Sequence, residues 1–195
     1  MSTAKFRKAI SQPGLAVSIS LALLRGYWYK FWLPLTGRRF SAGKRFLVFG
    51  KLRVSGPGVV RFGDNVQVAM TVTPFTHSAD ALIEVGDRTF LNGSRFGCKD
   101  RITVGPDCIL AECRILDTNF HSVYRARHDP TSPIVVAPVV LGRNVWICPD
   151  AALLPGTIVG ENSVVAIGSI CRGEIESDAI YAGNPARKVG TVPQS

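Results

Sequence analysis

Bulky apolar residues recur at every sixth position in the C-terminal half of the chain. They are Leu141, Ile147, Leu153, Val159, Val165 and Cys171. The residue four places after each of the first five is compact. A period of six is neither the 3.6 of an α-helix nor the two of a simple strand. It is typical of a short strand and a turn that repeat, with one side chain per repeat in a narrow core, and it predicts the stacked coils of a parallel β-helix.

The same period appears upstream, less regularly, in units of an apolar residue, a glycine, any residue and Asp or Asn. Examples are Phe62-Gly63-Asp64-Asn65 and Val104-Gly105-Pro106-Asp107. Glycine tolerates a positive φ at a tight corner, and Asp or Asn bonds its own backbone there, so we expect these units to form coil corners. A β-sandwich would instead show two-residue alternation with turns every ~8–12 residues. The period therefore favours an all-β, β-helical domain.

Charge is distributed unevenly along the 195 residues. Residues 1–63 contain twelve Lys and Arg and no acidic residue, whereas the remainder carries eleven basic and fourteen acidic residues. Residues 15–35 are mostly apolar and end in a cluster of aromatic side chains. Such a segment suits the helical cap that a solenoid needs, and aromatic rings beside cations also suit an anionic membrane surface. The sequence predicts a helical cap over residues 1–45 and leaves membrane contact open; no nucleic-acid-binding motif accompanies the charge.

The five cysteines form neither a C-x-x-C pair nor a metal-like cluster. An odd number without a framework predicts buried, reduced thiols. The sequence shows no signal peptide and no uncharged apolar stretch of 18 residues. We therefore expect a cytoplasmic protein, located at the inner face of the plasma membrane if the cap binds lipid.

The six-residue period stops at Asp117 and resumes after Pro138. Residues 117–138 contain His121 and several other charged and polar side chains. A loop that leaves a rigid scaffold is a common place for a functional site. Imidazole titrates near neutral pH, so His121 is the candidate general base of an active-site loop.

These features together resemble the left-handed β-helix hexapeptide-repeat acyltransferases, specifically the branch of maltose, galactoside and polysaccharide O-acetyltransferases. The segments that carry the resemblance are residues 83–87, 117–121, 141–147, 154–156 and 183–187. The resemblance implies a left-handed β-helix over residues 46–190 with three hexads per coil. It also implies a homotrimer with active sites between subunits, acetyl-CoA as the acyl donor and no required metal.

The resemblance assigns His121 the role of activating the acceptor hydroxyl. It implies acceptor-binding roles for four residues: Asn92, Asp100, Asp117 and Asn119. It implies contacts with coenzyme A for a further seven: Trp146, Ala166, Gly168, Ser169, Arg172, Arg187 and Lys188. The small residues in this set leave room for pantetheine, and the cations suit nucleotide phosphates.

Three positions depart from the family pattern. Cys148 replaces the usual glycine after Trp-Ile, and Ile167 replaces the alanine of Gly-Ala-Gly, which here begins with Ala166. Arg172-Gly173 replaces a Thr-Lys pair. The first two substitutions alter the wall beside the pantetheine, and the third leaves a single cation for the phosphates.

The implied activity is transfer of an acetyl group from acetyl-CoA to a sugar hydroxyl of a cell-surface polysaccharide or its precursor. N-acetylation of an amino sugar is one alternative. A γ-class carbonic anhydrase would need all three histidines, His77, His121 and His128, as zinc ligands, and the spacing of the last two does not match that class. A non-catalytic solenoid would not need the histidine loop, and a serine acetyltransferase would need a longer helical N-terminal domain.

Overall fold

The computed structural model describes residues 13–194, which form one helix and a stack of short strands. Helix α1 spans Pro13–Leu35. The strands are β1 (Arg39–Ala42), β2 (Leu47–Val48), β3 (Lys51–Leu52), β4 (Val59–Phe62), β5 (Gln67–Val68), β6 (Thr71–Thr76), β7 (Leu82–Val85), β8 (Phe90–Asn92), β9 (Arg95–Cys98), β10 (Arg101–Val104), β11 (Ile109–Ala111), β12 (Arg114–Leu116), β13 (Val139–Leu141), β14 (Trp146–Ile147), β15 (Ala152–Leu153), β16 (Ile158–Val159), β17 (Val164–Val165), β18 (Ile170–Cys171), β19 (Glu174–Ile175), β20 (Ala179–Gly183) and β21 (Ala186–Thr191).

Every third strand joins the same sheet, so that one coil contributes one strand to each of three faces. The seven-stranded sheet begins with β1, β4 and β7, the eight-stranded sheet with β2, β5 and β8, and the six-stranded sheet contains β3, β6 and β9. All pairings are parallel except that of β20 with β21. The predicted left-handed parallel β-helix with an N-terminal helix is confirmed.

The six-residue period corresponds to one face of the coil. Leu141 pairs with Val159, which lies 18 residues further along, in the seven-stranded sheet. The equivalent pairs in the other two sheets are Ile147 with Val165 and Leu153 with Cys171. All six side chains are buried, so each hexad supplies one apolar layer to the core.

The corners between the seven- and eight-stranded sheets differ from the sequence expectation in detail. The positive φ falls on Asn65 (59°) and Asp107 (64°) and not on the preceding glycines. The glycines are needed for close packing of coils, since a Cβ atom at Gly86 would lie 2.6 Å from the backbone nitrogen of Pro106. Asp carboxylates bond a neighbouring coil instead of their own turn: Oδ1 of Asp87 accepts the N–H of Asp64 at 2.8 Å.

Helix α1 lies across the first coil, against β1 and β2. Ala22 and Leu33 are buried. Arg25 donates to the carbonyl of Phe49 at 2.8 Å, and Lys30 donates to that of Gly43 at 3.0 Å. Of the predicted cap, residues 1–12 lie outside the described residues. The division of the chain at residues 45 and 46 stays a prediction, with β1 beginning at Arg39.

All five cysteines are buried and free, as the sequence predicts. Burial raises the pKa of the thiols of Cys108, Cys113 and Cys171 to about 11. Within residues 13–194, no helix combines the length and hydropathy that crossing a membrane requires.

Candidate active site

Residues 117–138 form a loop between β12 and β13, and hydrogen bonds close its base. Thr118 and Val136 form an isolated antiparallel bridge. The side-chain Oδ1 of Asn119 accepts the N–H of Val135 at 3.0 Å, and the carbonyl of Asp117 accepts the N–H of Ala137 at 2.9 Å. The two ends of the loop are therefore held together where they leave the coil.

Asp117 anchors this loop to the preceding coil through a fully buried carboxylate. Its two oxygens accept the N–H groups of Lys99 and Asp100, both at 2.7 Å. The thiol of Cys98 is 3.2 Å from Oδ2, and burial, reinforced by the Asp117 charge, raises the pKa of that thiol. These bonds hold the start of the loop on the coil, and the predicted role of Asp117 in binding the acceptor stays a prediction.

His121 follows a strained turn. Phe120 has a φ of 57°, a region that a bulky residue rarely adopts and that costs ~1–3 kcal/mol. The N–H of His121 donates to the carbonyl of Asn119 at 2.6 Å and closes this turn. The imidazole of His121 is exposed.

Packing of the Phe120 ring supports the strained turn. Its centroid lies 5.9 Å from that of Phe75 and 5.7 Å from the imidazole of His77. A Cβ atom at Gly97 would lie 2.8 Å from Cζ of Phe120, so only glycine leaves room for the ring. The coil therefore fixes the position from which His121 projects.

The loop and the coil enclose an open cleft of about 290 Å³. All three histidines of the chain line it. The other lining residues are Lys99, Phe120, Ser122, Arg127, Asp129, Pro130, Ser132 and Ile134. Within the described residues, no three His, Cys, Asp or Glu side chains are arranged to hold a metal ion.

Four basic lining residues were not predicted as part of an acyltransferase site: His77, Lys99, Arg127 and His128. His77 follows β6, two coils before the loop, and its N–H donates to the carbonyl of Cys98 at 2.7 Å. No spacing rule in the sequence connects it to His121. Arg127 and His128 lie in the same loop as His121. This shared location is the sequence signal from which they could have been predicted as site residues.

The other predicted residues lie on different edges of the three-sided coil. The third edge, between the six- and seven-stranded sheets, carries the loop together with Asp100 and Arg172, both exposed. The second edge, between the eight- and six-stranded sheets, carries four of the predicted residues: Asn92, Ala166, Gly168 and Ser169. Ser169 is buried there, and its Oγ accepts the N–H of Gly183 at 3.2 Å. One chain does not bring Asn92 and His121 to the same edge.

The remaining predicted coenzyme A contacts lie on the eight-stranded sheet. Trp146 is 46% exposed on its outer surface. Arg187 and Lys188 belong to β21, and Lys188 forms an ion pair with Glu176 at 2.6 Å. The hydrogen bond to Glu176 raises the pKa of Lys188. Two residues beside the predicted pantetheine channel differ from the family pattern. Of these, Cys148 is buried and Ile167 is 68% exposed at the second edge.

Comparisons with known proteins agree with this architecture. No protein-family model matches the chain. Over 160 residues it is 29% identical to an Escherichia coli K12 protein named for O-acetyl transfer in lipopolysaccharide biosynthesis, WbbJ; the alignment covers 77% of this chain and 68% of WbbJ. The polysialic acid O-acetyltransferase OatWY superposes with a TM-score of 0.67 at 22% identity, covering 78% of this chain and 74% of OatWY.

A third similarity is to the hexapeptide-repeat acetyltransferase VCA0836 of Vibrio cholerae O1 biovar eltor, solved with acetyl-CoA. Its TM-score is 0.59 at 19% identity, covering 99% of this chain and 92% of VCA0836. The coil has the hexapeptide-repeat β-solenoid fold, and the similarity to these relatives supports an acetyl-CoA-dependent acyltransferase. Within that class its homologues are O-acetyltransferases, and the identification made from the sequence motifs is confirmed.

Proposed function

We propose that this enzyme transfers the acetyl group of acetyl-CoA to a hydroxyl group of a sugar in a cell-surface polysaccharide or its precursor. The observation that carries the proposal is the exposed imidazole of His121 in a polar cleft beside the coils of an acyltransferase. The similarity to an O-acetyl transferase named for lipopolysaccharide biosynthesis supports a glycan acceptor. Acetyl-CoA is a substrate in this scheme, and the scheme requires no metal.

His121 acts as the general base in the proposed reaction. A sugar hydroxyl is a weak nucleophile, so removal of its proton during attack lowers the barrier. The hydroxyl oxygen forms a bond to the thioester carbonyl carbon, the carbon–sulfur bond then breaks, and the imidazolium returns the proton to the departing thiolate. Acetyl ester and free coenzyme A are the products, and no acyl-enzyme is needed, which agrees with five buried cysteines.

Release of free thiol from acetyl-CoA in the presence of a panel of sugars, nucleotide sugars and glycolipids tests the proposed activity. Treatment of the product with mild alkali distinguishes the two acceptor chemistries, because an ester loses its acetyl group and an amide keeps it. An alkali-stable product would replace O-acetylation by the alternative, N-acetylation of an amino sugar. Absence of thiol release with every acceptor class would contradict the transferase proposal.

We further propose that the complete site forms between subunits of a homotrimer. His121 and Arg172 lie on the third edge, whereas Asn92 and Ala166 lie on the second edge of the same chain. A second copy can supply its second edge to the third edge of the first. The outer face of the eight-stranded sheet offers apolar contact area, with Ile109 44% and Trp146 46% exposed on paired strands.

Mixing two inactive variants tests this arrangement. His121→Asn and Asn92→Ala would each disable every site of a pure trimer. In randomly mixed trimers, a site is intact when the Asn92→Ala subunit supplies His121 and its neighbour supplies Asn92. Independent pairing then restores about one quarter of the wild-type activity. A mixture as inactive as its components would locate the whole site in one chain, and a mass other than three times 21.1 kDa in light scattering would contradict the trimer.

Helix α1 supports peripheral contact with the inner face of the plasma membrane. Its exposed side carries a helical stripe of apolar residues at spacings of three and four: Val17, Leu21, Leu24, Trp28, Phe31 and Leu35. Its two cations instead reach coil carbonyls, at Phe49 and Gly43. Residues 13–63 contain no side-chain carboxylate, and three further cations are exposed on β1 and in the turn after it: Arg39, Lys44 and Arg45. Apolar side chains among cations fit an anionic lipid surface.

Flotation with phosphatidylglycerol-containing vesicles tests this contact. Leu24→Glu with Phe31→Glu removes apolar area at two exposed positions, 64% and 69% exposed, and is expected to abolish binding. Val189→Glu, at an equally exposed apolar position of β21, is the matched control and should float like the wild type. Unchanged flotation of the helix variant would assign the stripe to another partner, and the acyltransferase proposal would stand.

A further inference from the structure

The active-site cleft carries cationic side chains that the proposed base chemistry does not use. Lys99 reaches it from the coil and Arg127 from the loop. Neither takes part in an ion pair among residues 13–194. The one carboxylate in the lining, Asp129, is bonded to the N–H and hydroxyl of Thr131 at 2.8 and 2.6 Å, and these bonds lower its pKa. The lining therefore has two cationic side chains, three imidazoles and one carboxylate, whose Oδ1 is bonded to Thr131.

The backbone that carries Lys99 is fixed relative to the loop that carries the proposed base. The backbone N–H of Lys99 donates to the buried carboxylate of Asp117, the residue with which the loop begins. His121 is held by the turn at Phe120, which packs on the same part of the coil. A charged group bound by Lys99 would therefore lie within side-chain reach of the hydroxyl that His121 would activate, which favours acetylation near that charge.

We infer that the acceptor sugar carries a negative charge, a carboxylate or a phosphate ester, close to the hydroxyl that is acetylated. This inference rests on the proposed function. Guanidinium and ammonium groups bind such anions through charge-assisted hydrogen bonds, and an anion also relieves the repulsion among the cations of the cleft. The cleft of one chain, about 290 Å³, gives the charged group of the sugar room beside these side chains, and a neighbouring subunit would complete the site.

The three histidines provide a direct measurement, because the chain has no others and all three line the cleft. Side-chain imidazole NMR signals of the full-length enzyme, with and without saturating coenzyme A, are followed during titration with glucose 1-phosphate, glucuronate or methyl glucoside. We expect at least one anionic sugar to bind about tenfold or more tightly than the neutral sugar. The stronger of the two anions identifies phosphate or carboxylate as the charge.

Paired variants assign the effect to the cleft. Lys99→Gln with Arg127→Gln should remove the preference for the anionic sugar and leave methyl glucoside binding unchanged. Lys51→Gln, an exposed lysine on β3, is the control and should keep the preference.

Three results would overturn the inference: equal binding of neutral and anionic sugars, no saturable binding of either anion, or anion binding that bound coenzyme A abolishes. The last would assign the cations to the phosphates of the donor. Failure of the proposed function has a separate signature, since it would appear as no binding of acetyl-CoA in a titration without sugar.

Discussion

Two regions of the β-helix have the same strand register although their coils contain very different numbers of residues. One is the regular run of coils after the active-site loop, and the other is the pair of coils that the loop joins. In the regular run, Leu141 pairs with Val159 and each coil has 18 residues. At the loop, Val104 pairs with Leu141 and Leu110 with Ile147, although the loop lies between them in sequence. The strands pair in the same register in both regions, whereas the connection at one corner is much longer where the loop leaves the coil.

This difference shows where the fold can accept an insertion. A longer connection adds only ~0.6 kcal/mol of closure entropy per doubling of its length, whereas a slipped register would expose a layer of the core. The regular coils therefore carry stability, and the interrupted coil can carry chemistry. Substitutions in the two regions should separate activity from stability.

The largest expected effect is a complete separation of activity from stability. His121→Asn should lower kcat by about 10²–10⁴-fold because the proposed general base is lost, and should leave thermal unfolding within the range of a surface change. Leu153→Ala, at a buried position of the regular run, should cost about 2–5 kcal/mol of unfolding free energy while the folded fraction keeps its specific activity. Wild-type turnover of His121→Asn in the thiol-release assay would end the general-base proposal.

Asp117→Ala should lower stability and activity together, because its carboxylate joins the two regions. Removal leaves the part-buried N–H groups of Lys99 and Asp100 without their acceptor, at a cost of about 3 kcal/mol by urea unfolding. Ser163→Ala in the regular coils, which removes a bond to the carbonyl of Glu176, should cost about 1 kcal/mol and leave activity unchanged. Equal costs at both positions would show that Asp117 has no special anchoring role.

Two glycine substitutions should differ in whether they mainly reduce activity or mainly reduce stability. A Cβ atom at Gly97 meets side chains, those of Phe120 and Leu116, so Gly97→Ala should displace the loop and reduce activity more than stability. At Gly142 it would lie 2.8 Å from the backbone nitrogen of Glu161, so Gly142→Ala should separate two coils and mainly reduce stability, by about 1–3 kcal/mol. The melting temperature and the specific activity of each variant decide the matter, and a reversed order would contradict the assignment.

The smallest expected effect concerns alkaline pH. Burial holds the pKa of Cys171 at about 11 in the folded chain, against ~8.5 when unfolded. The folded state then binds the proton more tightly, so stability is complete below ~8.5 and falls as pH rises toward 11. Cys171→Ala should remove about 1 kcal/mol of the stability loss between pH 7 and 9.5 in urea titrations. An unchanged pH dependence would show that this thiol ionises without unfolding.

Sequence patterns predicted the coil well because each hexad depends on local spacing and on one buried side chain. The prediction was less accurate at the corners, where Gly86 serves close packing of coils and Asn65 adopts the positive φ. His121 was identifiable because it interrupts a regular pattern. His77 and Lys99 were not, because the stacking of successive coils brings them to the cleft from separate parts of the chain.

The sequence by itself determined the six-residue period, the stacked β-helical coils and the position of the loop, since these follow from local spacing. Its short motifs carried the resemblance to hexapeptide-repeat acyltransferases, and that resemblance implied three hexads per coil. Only the tertiary structure decided that Asp117 is a buried anchor, that three histidines and two cations share one cleft, and that Asn92 and His121 lie on different edges. The physical reason is that parallel stacking places residues from successive coils side by side on one edge. Their proximity then depends on the lengths of the intervening corners, which no local pattern encodes.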